Sequence, residues 1–105
     1  MSVYVIADID IKDRDAYTEY QKLVPPIIKK YGGRYLVRGG TIIPGEGDWD
    51  LTRIIILEFP TVEDAQAMLT SEEYAPVGAI RHKAAVSRSF MVEGVDISND
   101  APVAK

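Results

Sequence analysis

Residues Gly32–Phe59 read GGRYLVRGGTIIPGEGDWDLTRIIILEF. The stretch predicts two strands and their connection. Arg34 to Arg38 is the first, with Arg34, Leu36 and Arg38 on one face and Tyr35 and Val37 on the other. Gly39-Gly40 breaks or bulges it, and Pro44-Gly45-Glu46-Gly47-Asp48 is a turn-rich loop. The second strand, Arg53 to Phe59, is apolar on both faces: Ile54 and Ile56 point one way, Ile55, Leu57 and Phe59 the other. A strand with one side in water shows polar alternation. This one does not, so its sheet should be covered on both sides.

Working outward, Val3 to Asp10 is β-branched and roughly alternating, which predicts a strand. Asp13 is placed to cap a helix in which Ala16, Tyr17, Tyr20, Leu23, Val24, Ile27, Ile28 and Tyr31 recur at helical spacing. Pro25-Pro26 interrupts that pattern, so the expectation is a helix to about Leu23, a kink, and a further helical piece, stopped by Gly32-Gly33. Beyond Pro60, Thr61 caps a helix with Asp64 three residues on, and Ala65, Met68 and Leu69 form its stripe. Ser71 caps a short turn, with a helical piece from Pro76 to about Lys83. Val86 to Glu93 is a fourth strand. Residues 1–94 then make one domain and 95–105 a tail without periodicity.

Strand, helix, strand, strand, helix, strand is the split βαβ, or ferredoxin-like, order. It predicts an α+β fold with a four-stranded antiparallel sheet, helices on one face. The simplest cover for the other face is a second copy packed sheet to sheet, closing a dimeric α/β barrel.

A chain of 105 residues has a modest core, which suits such a partnership. The net charge of −4 argues against a nucleic-acid binder. The absence of cysteine excludes disulfides and thiolate chemistry. The opening MSVYVIADIDIKD places acids where a secretion signal needs a basic head, and no apolar run reaches membrane-spanning length. The expectation is a soluble, cytoplasmic protein with no membrane partner.

YVIADIDIKD, YGGRYLVRGG, EGDW and EFP, taken together, resemble a family of short, mostly bacterial proteins known as a domain of unknown function within the dimeric α/β-barrel superfamily. The likeness spans Val3 to about Gly94. It implies the fold and a homodimer, and brings no reaction with it. Superfamily relatives include cofactor-free monooxygenases, isomerases, dehalogenases and haem-binding enzymes.

The candidate site residues each have two readings. Arg38 beside Gly39 suits a carboxylate, because an arginine fork matches it and glycine lets a ligand approach the backbone; it equally suits an ion pair with Glu58. Trp49, between Asp48 and Asp50, is either an aromatic lid or a packing residue at the dimer seam. Tyr17, Tyr20 and Tyr74 are either hydrogen-bonding groups in a helix–sheet cleft or core. His82 sits in a basic cluster and reads as surface. No metal site, Walker loop or serine-nucleophile motif is present, and no cofactor is called for. Two functions follow: a cofactor-independent enzyme acting on a small carboxylate or aromatic compound in that cleft, or a non-catalytic small-ligand-binding or accessory dimer.

Overall fold

The structure, a computed structural model, describes residues 2–95. The elements run β1 (Val3–Ile11), α1 (Arg14–Lys30), β2 (Arg34–Arg38), β3 (Ile54–Phe59), α2 (Val62–Leu69), α3 (Tyr74–Ala84) and β4 (Ala85–Glu93). The sheet order is β2-β3-β1-β4 and every neighbouring pair is antiparallel. This is the expected ferredoxin-like α+β arrangement, with three helices rather than two. The expected tail lies, apart from Val95, outside the described residues.

Local chemistry sets the boundaries. Asp13 accepts the Ala16 amide at 3.1 Å and starts α1. At the other end Gly32, at φ +84°, takes the left-handed turn. The amides of Gly32 and Gly33 then reach back to the carbonyls of Lys29 and Ile28 at 3.0 and 2.9 Å, closing a Schellman motif. Between these caps α1 is one element of 17 residues, not the two expected around the prolines. Pro25 and Pro26 remove two donors, but the residues four earlier, Gln21 and Lys22, are exposed, so water can reach their carbonyls. Val24 and Ile28, buried on either side, hold the helix on the core. Thr61 accepts the Asp64 amide at 3.1 Å and starts α2. Ser71 accepts from Tyr74 at 3.1 Å just before α3. Glu73 joins the helices, taking Tyr31 Oη at 2.8 Å and Lys30 Nζ at 2.9 Å.

Sheet register decides which side chains meet. β3 alternates as its sequence predicts: Ile55, Leu57 and Phe59 are buried under the helices, and Ile54, Ile56 and Glu58 face the other way. Val3 pairs with Phe59 and Ala7 with Ile55, so Val3, Val5, Ala7 and Ile9 share the helix side. Strand β2 does not alternate simply. Tyr35 opposes Leu57, but Val37 opposes Ile56 and Arg38 opposes Ile55. Leu36 is therefore an extra, bulged residue. The bulge sits there rather than at Gly39-Gly40, and it turns Arg38 away from the face of Arg34 and onto that of Tyr35.

The side of the sheet away from the helices is largely apolar. Ile6, Ile54 and Ile56 lie there beside Phe90, 59% exposed, and Val92, 47% exposed. Two ion pairs interrupt it: Arg34 with Glu58 at 2.6 Å and Arg88 with Asp8 at 2.8 Å.

Candidate functional site

Helices α1 and α3 pack on each other and leave a cavity of about 580 Å³ between themselves and the sheet. Its floor is Val5, Ala7, Ile55 and Leu57. Its walls are polar in a particular way. Tyr17 and Tyr20 come from α1, Tyr74 and Arg81 from α3, Tyr35 and Arg38 from β2, and Arg53 from the residue that leads into β3. Among the described residues no acidic side chain and no histidine line it.

Each arginine is held differently. Arg38 lies at the exposed rim with its guanidinium carbon 3.6 Å from the Tyr35 ring centroid. Arg53 is deeper. Its guanidinium rests against Gly39, which sits at φ +68°, and a Cβ at that glycine would collide with it. Its guanidinium carbon is 5.9 Å from the Tyr17 centroid, and its Nε is buried without a partner among the described residues. The Arg53 carbonyl accepts from Ile9 at 2.9 Å. Its amide donates to Asp8 at 3.2 Å, and the Thr52 amide to the same oxygen at 2.8 Å. Asp8 thus pins the main chain at Arg53 from the far side of the sheet. The Arg88 guanidinium, with the Thr52 amide, holds the Asp8 carboxyl below its usual pKa.

Arg81 donates to Ser87 Oγ at 2.7 Å and to Tyr74 Oη at 3.3 Å, and lies 5.9 Å from the Tyr20 centroid. Neither hydroxyl partner is a carboxylate, and the exposed His82 ring lies 3.4 Å away, so these contacts orient the charge without cancelling it. Tyr20 and Tyr74 hydroxyls are 3.5 Å apart, and the rings of Tyr17 and Tyr20 stack tilted at 5.5 Å. Burial pushes the Tyr20 phenol well above its ordinary value, with Tyr74 adding to the effect, and burial raises Tyr35 also. Both stay protonated at neutral pH and are available to donate.

Of the residues singled out in the sequence, Tyr17, Tyr20, Arg38 and Tyr74 come together in this cavity, with Gly39 backing Arg53. Trp49 and Glu58 do not. Trp49 is 74% exposed in the β2–β3 loop, where its Nε1 donates to the Glu46 carbonyl at 2.8 Å. Glu58 is on the opposite face, and Arg34 beside it holds its carboxyl below the ordinary range. The shared Arg38–Glu58 locus is therefore absent: register places the two on different sides. His82 is exposed, and no group of three or more His, Cys, Asp or Glu side chains gathers among the described residues to hold a metal ion. Sequence reasoning overlooked Arg81 and left Arg53 without a place. Arg81 follows Tyr74 by seven residues, two helical turns, so its position on the Tyr74 face was readable.

Residues 2–95 match the family model described as Domain of unknown function (DUF1330), and the chain belongs to that family. Its fold is similar to that of RPA0582, a protein of unknown function from Rhodopseudomonas palustris, with TM-score 0.72, 19% identity, and 90% of this chain and 83% of that one covered. It is also similar to SnoaB, a cofactor-independent oxygenase from Streptomyces nogalater, with TM-score 0.66, 10% identity and coverage of 90% and 94%. A dimeric protein of unknown function and ferredoxin-like fold from Bacteroides fragilis matches with TM-score 0.64, 17% identity and coverage of 89% and 96%. At such identities the likeness is one of fold. No curated protein sequence matches the chain. Among the described residues no helix is long and apolar enough to cross a membrane.

Proposed function

We propose that this protein binds a small aromatic carboxylate in the helix–sheet cavity and works as a cytoplasmic homodimer. The observation that supports the ligand class is the convergence of Arg38, Arg53 and Arg81 on a tyrosine-walled space that no described acid lines, in a chain whose net charge is −4. Arg53 and Arg81 are half-buried and the Arg53 Nε is buried without a partner among the described residues; such a group is costly to leave uncompensated, and a carboxylate supplies both the charge and the acceptors it lacks. Tyr17, Tyr20 and Tyr35 offer flat surfaces for a ring. A second copy on the open face of the sheet would cover Ile6, Ile56, Phe90 and Val92; the dimeric Bacteroides neighbour lends this support.

The same walls favour one kind of chemistry as a second reading. Three guanidiniums and protonated tyrosines stabilise an oxyanion that develops on a bound ligand, whereas among the described residues no lining carboxylate or imidazole is present to act as a base. A cofactor-independent enzyme on the pattern of the SnoaB neighbour fits that division of labour.

Calorimetric titration with benzoate and with benzamide tests the binding reading. Benzoate should bind and benzamide, its uncharged isostere, should not. Equal affinity for the two would remove the reading, as would failure of benzoate and of every phthalate isomer to bind.

A further inference from the structure

We infer that the ligand of this cavity is a dianion: an aromatic compound carrying two carboxylates, one met by Arg53 and the other by Arg81. The inference rests on the carboxylate reading above and goes beyond it in charge and shape.

The cavity has two separate cationic poles. Arg53 approaches the Tyr17 ring and Arg81 the Tyr20 ring, each at 5.9 Å, and their anchors lie on opposite flanks of β1: Ile9 donates to the Arg53 carbonyl on one side and pairs with Ser87, which holds Arg81, on the other. Neither guanidinium has a carboxylate partner among the described residues, although ion pairs are made freely elsewhere in the molecule, by Lys12, Lys30, Arg34 and Arg88. A single carboxylate would satisfy one pole and leave the other half-buried and without a counter-charge. Each pole is also built. Gly39 has no side chain where the Arg53 guanidinium lies, and Asp8 fixes the main chain from which Arg53 extends. Ser87 and Tyr74 fix Arg81 with neutral oxygens, leaving its remaining N–H groups to donate. The tilted Tyr17–Tyr20 pair in the cavity wall suits a flat ring rather than a flexible chain. Arg38, at the rim and stacked on Tyr35, stands where an anion enters.

The test is calorimetric titration of the full chain with phthalate, isophthalate and terephthalate, compared with benzoate. The best-fitting isomer should bind about ten- to a hundred-fold tighter than benzoate, the worth of one further charged hydrogen-bonded pair. Arg53→Met and Arg81→Met should each reduce that isomer to the affinity of benzoate. The monoamide of the same isomer, titrated against the unaltered protein, should fall equally and requires no variant to fold. If benzoate binds and no dicarboxylate exceeds it, the dianion inference is overturned and the carboxylate reading stands. If none of the four acids binds, both fall.

Discussion

Substituting Gly39 by alanine separates the cost of a backbone conformation from the loss of a site. Gly39 sits at φ +68°, with its amide donating to the Ile54 carbonyl at 2.8 Å, so the chain cannot easily leave the left-handed region there. An L-residue in that region costs about 1–2 kcal/mol relative to glycine. The new methyl also meets the Arg53 guanidinium, the end of a flexible side chain, which would swing away instead of unfolding the strand. The expected stability loss is therefore still about 1–2 kcal/mol, which for a domain of this size lowers Tm by roughly 5–15 °C. Ligand affinity should suffer separately. Losing a charge-assisted contact from Arg53 costs about 1.5–3 kcal/mol, or ten- to a hundred-fold.

Gly47 supplies the control. It sits at φ +87° in the exposed β2–β3 loop, where an added Cβ would have Trp49 Nε1 as its nearest neighbour at 3.3 Å. Gly47→Ala should lower Tm by a comparable amount and leave aromatic-carboxylate affinity unchanged. Thermal denaturation by circular dichroism, at one protein concentration because the Tm of the proposed dimer would depend on it, reads the first effect, and calorimetry the second. Wild-type affinity in Gly39→Ala, or equal weakening in both variants, would show that Arg53 in its observed position takes no part in binding.

Phe90→Asp puts a charge among the apolar residues of the open sheet face, which the proposed second copy would cover; sedimentation should show a dimer for the wild type and a folded monomer for the variant at the same concentration, and a dimer unchanged by the substitution would place the contact elsewhere. Tyr20 gives a pH signature. Its folded pKa is raised above the ordinary value of 10.0, so the stability linked to it is full below about pH 10 and is lost as pH rises further. Tm measured from pH 8 to 11 should fall less steeply in Tyr20→Phe than in the wild type; parallel curves would mean the phenol is not desolvated as the structure has it.

How far the fold could be read from the sequence depended on which signals were local. The caps at Asp13 and Thr61, the Gly32-Gly33 stop and the two-faced β3 are decided within a few residues, and each stands where the pattern put it. Pro25-Pro26 is also a local signal, but there burial of Val24 and Ile28 against the rest of the protein outweighs it. The site was harder, because one inserted residue governs it. Alternation through RYLVR puts Arg38 with Arg34, and so near Glu58; the bulge at Leu36 reverses the parity and delivers Arg38 to the cavity. Nothing in the five residues announces that bulge, since it arises from how β2 pairs with β3. The consequence is chemical as much as geometric. Had β2 been regular, Arg38 would have opposed Ile54 on the open side, the face of Arg34 and Glu58, and the cavity would have lost one of its arginines. With the bulge, Glu58 is satisfied by Arg34 on the open side, and the cavity keeps Arg38 beside Arg53 and Arg81 with no described acid among them. A single extra residue in an edge strand thus moves one positive charge from the open face of the sheet to the cavity, where a ligand would have to balance it.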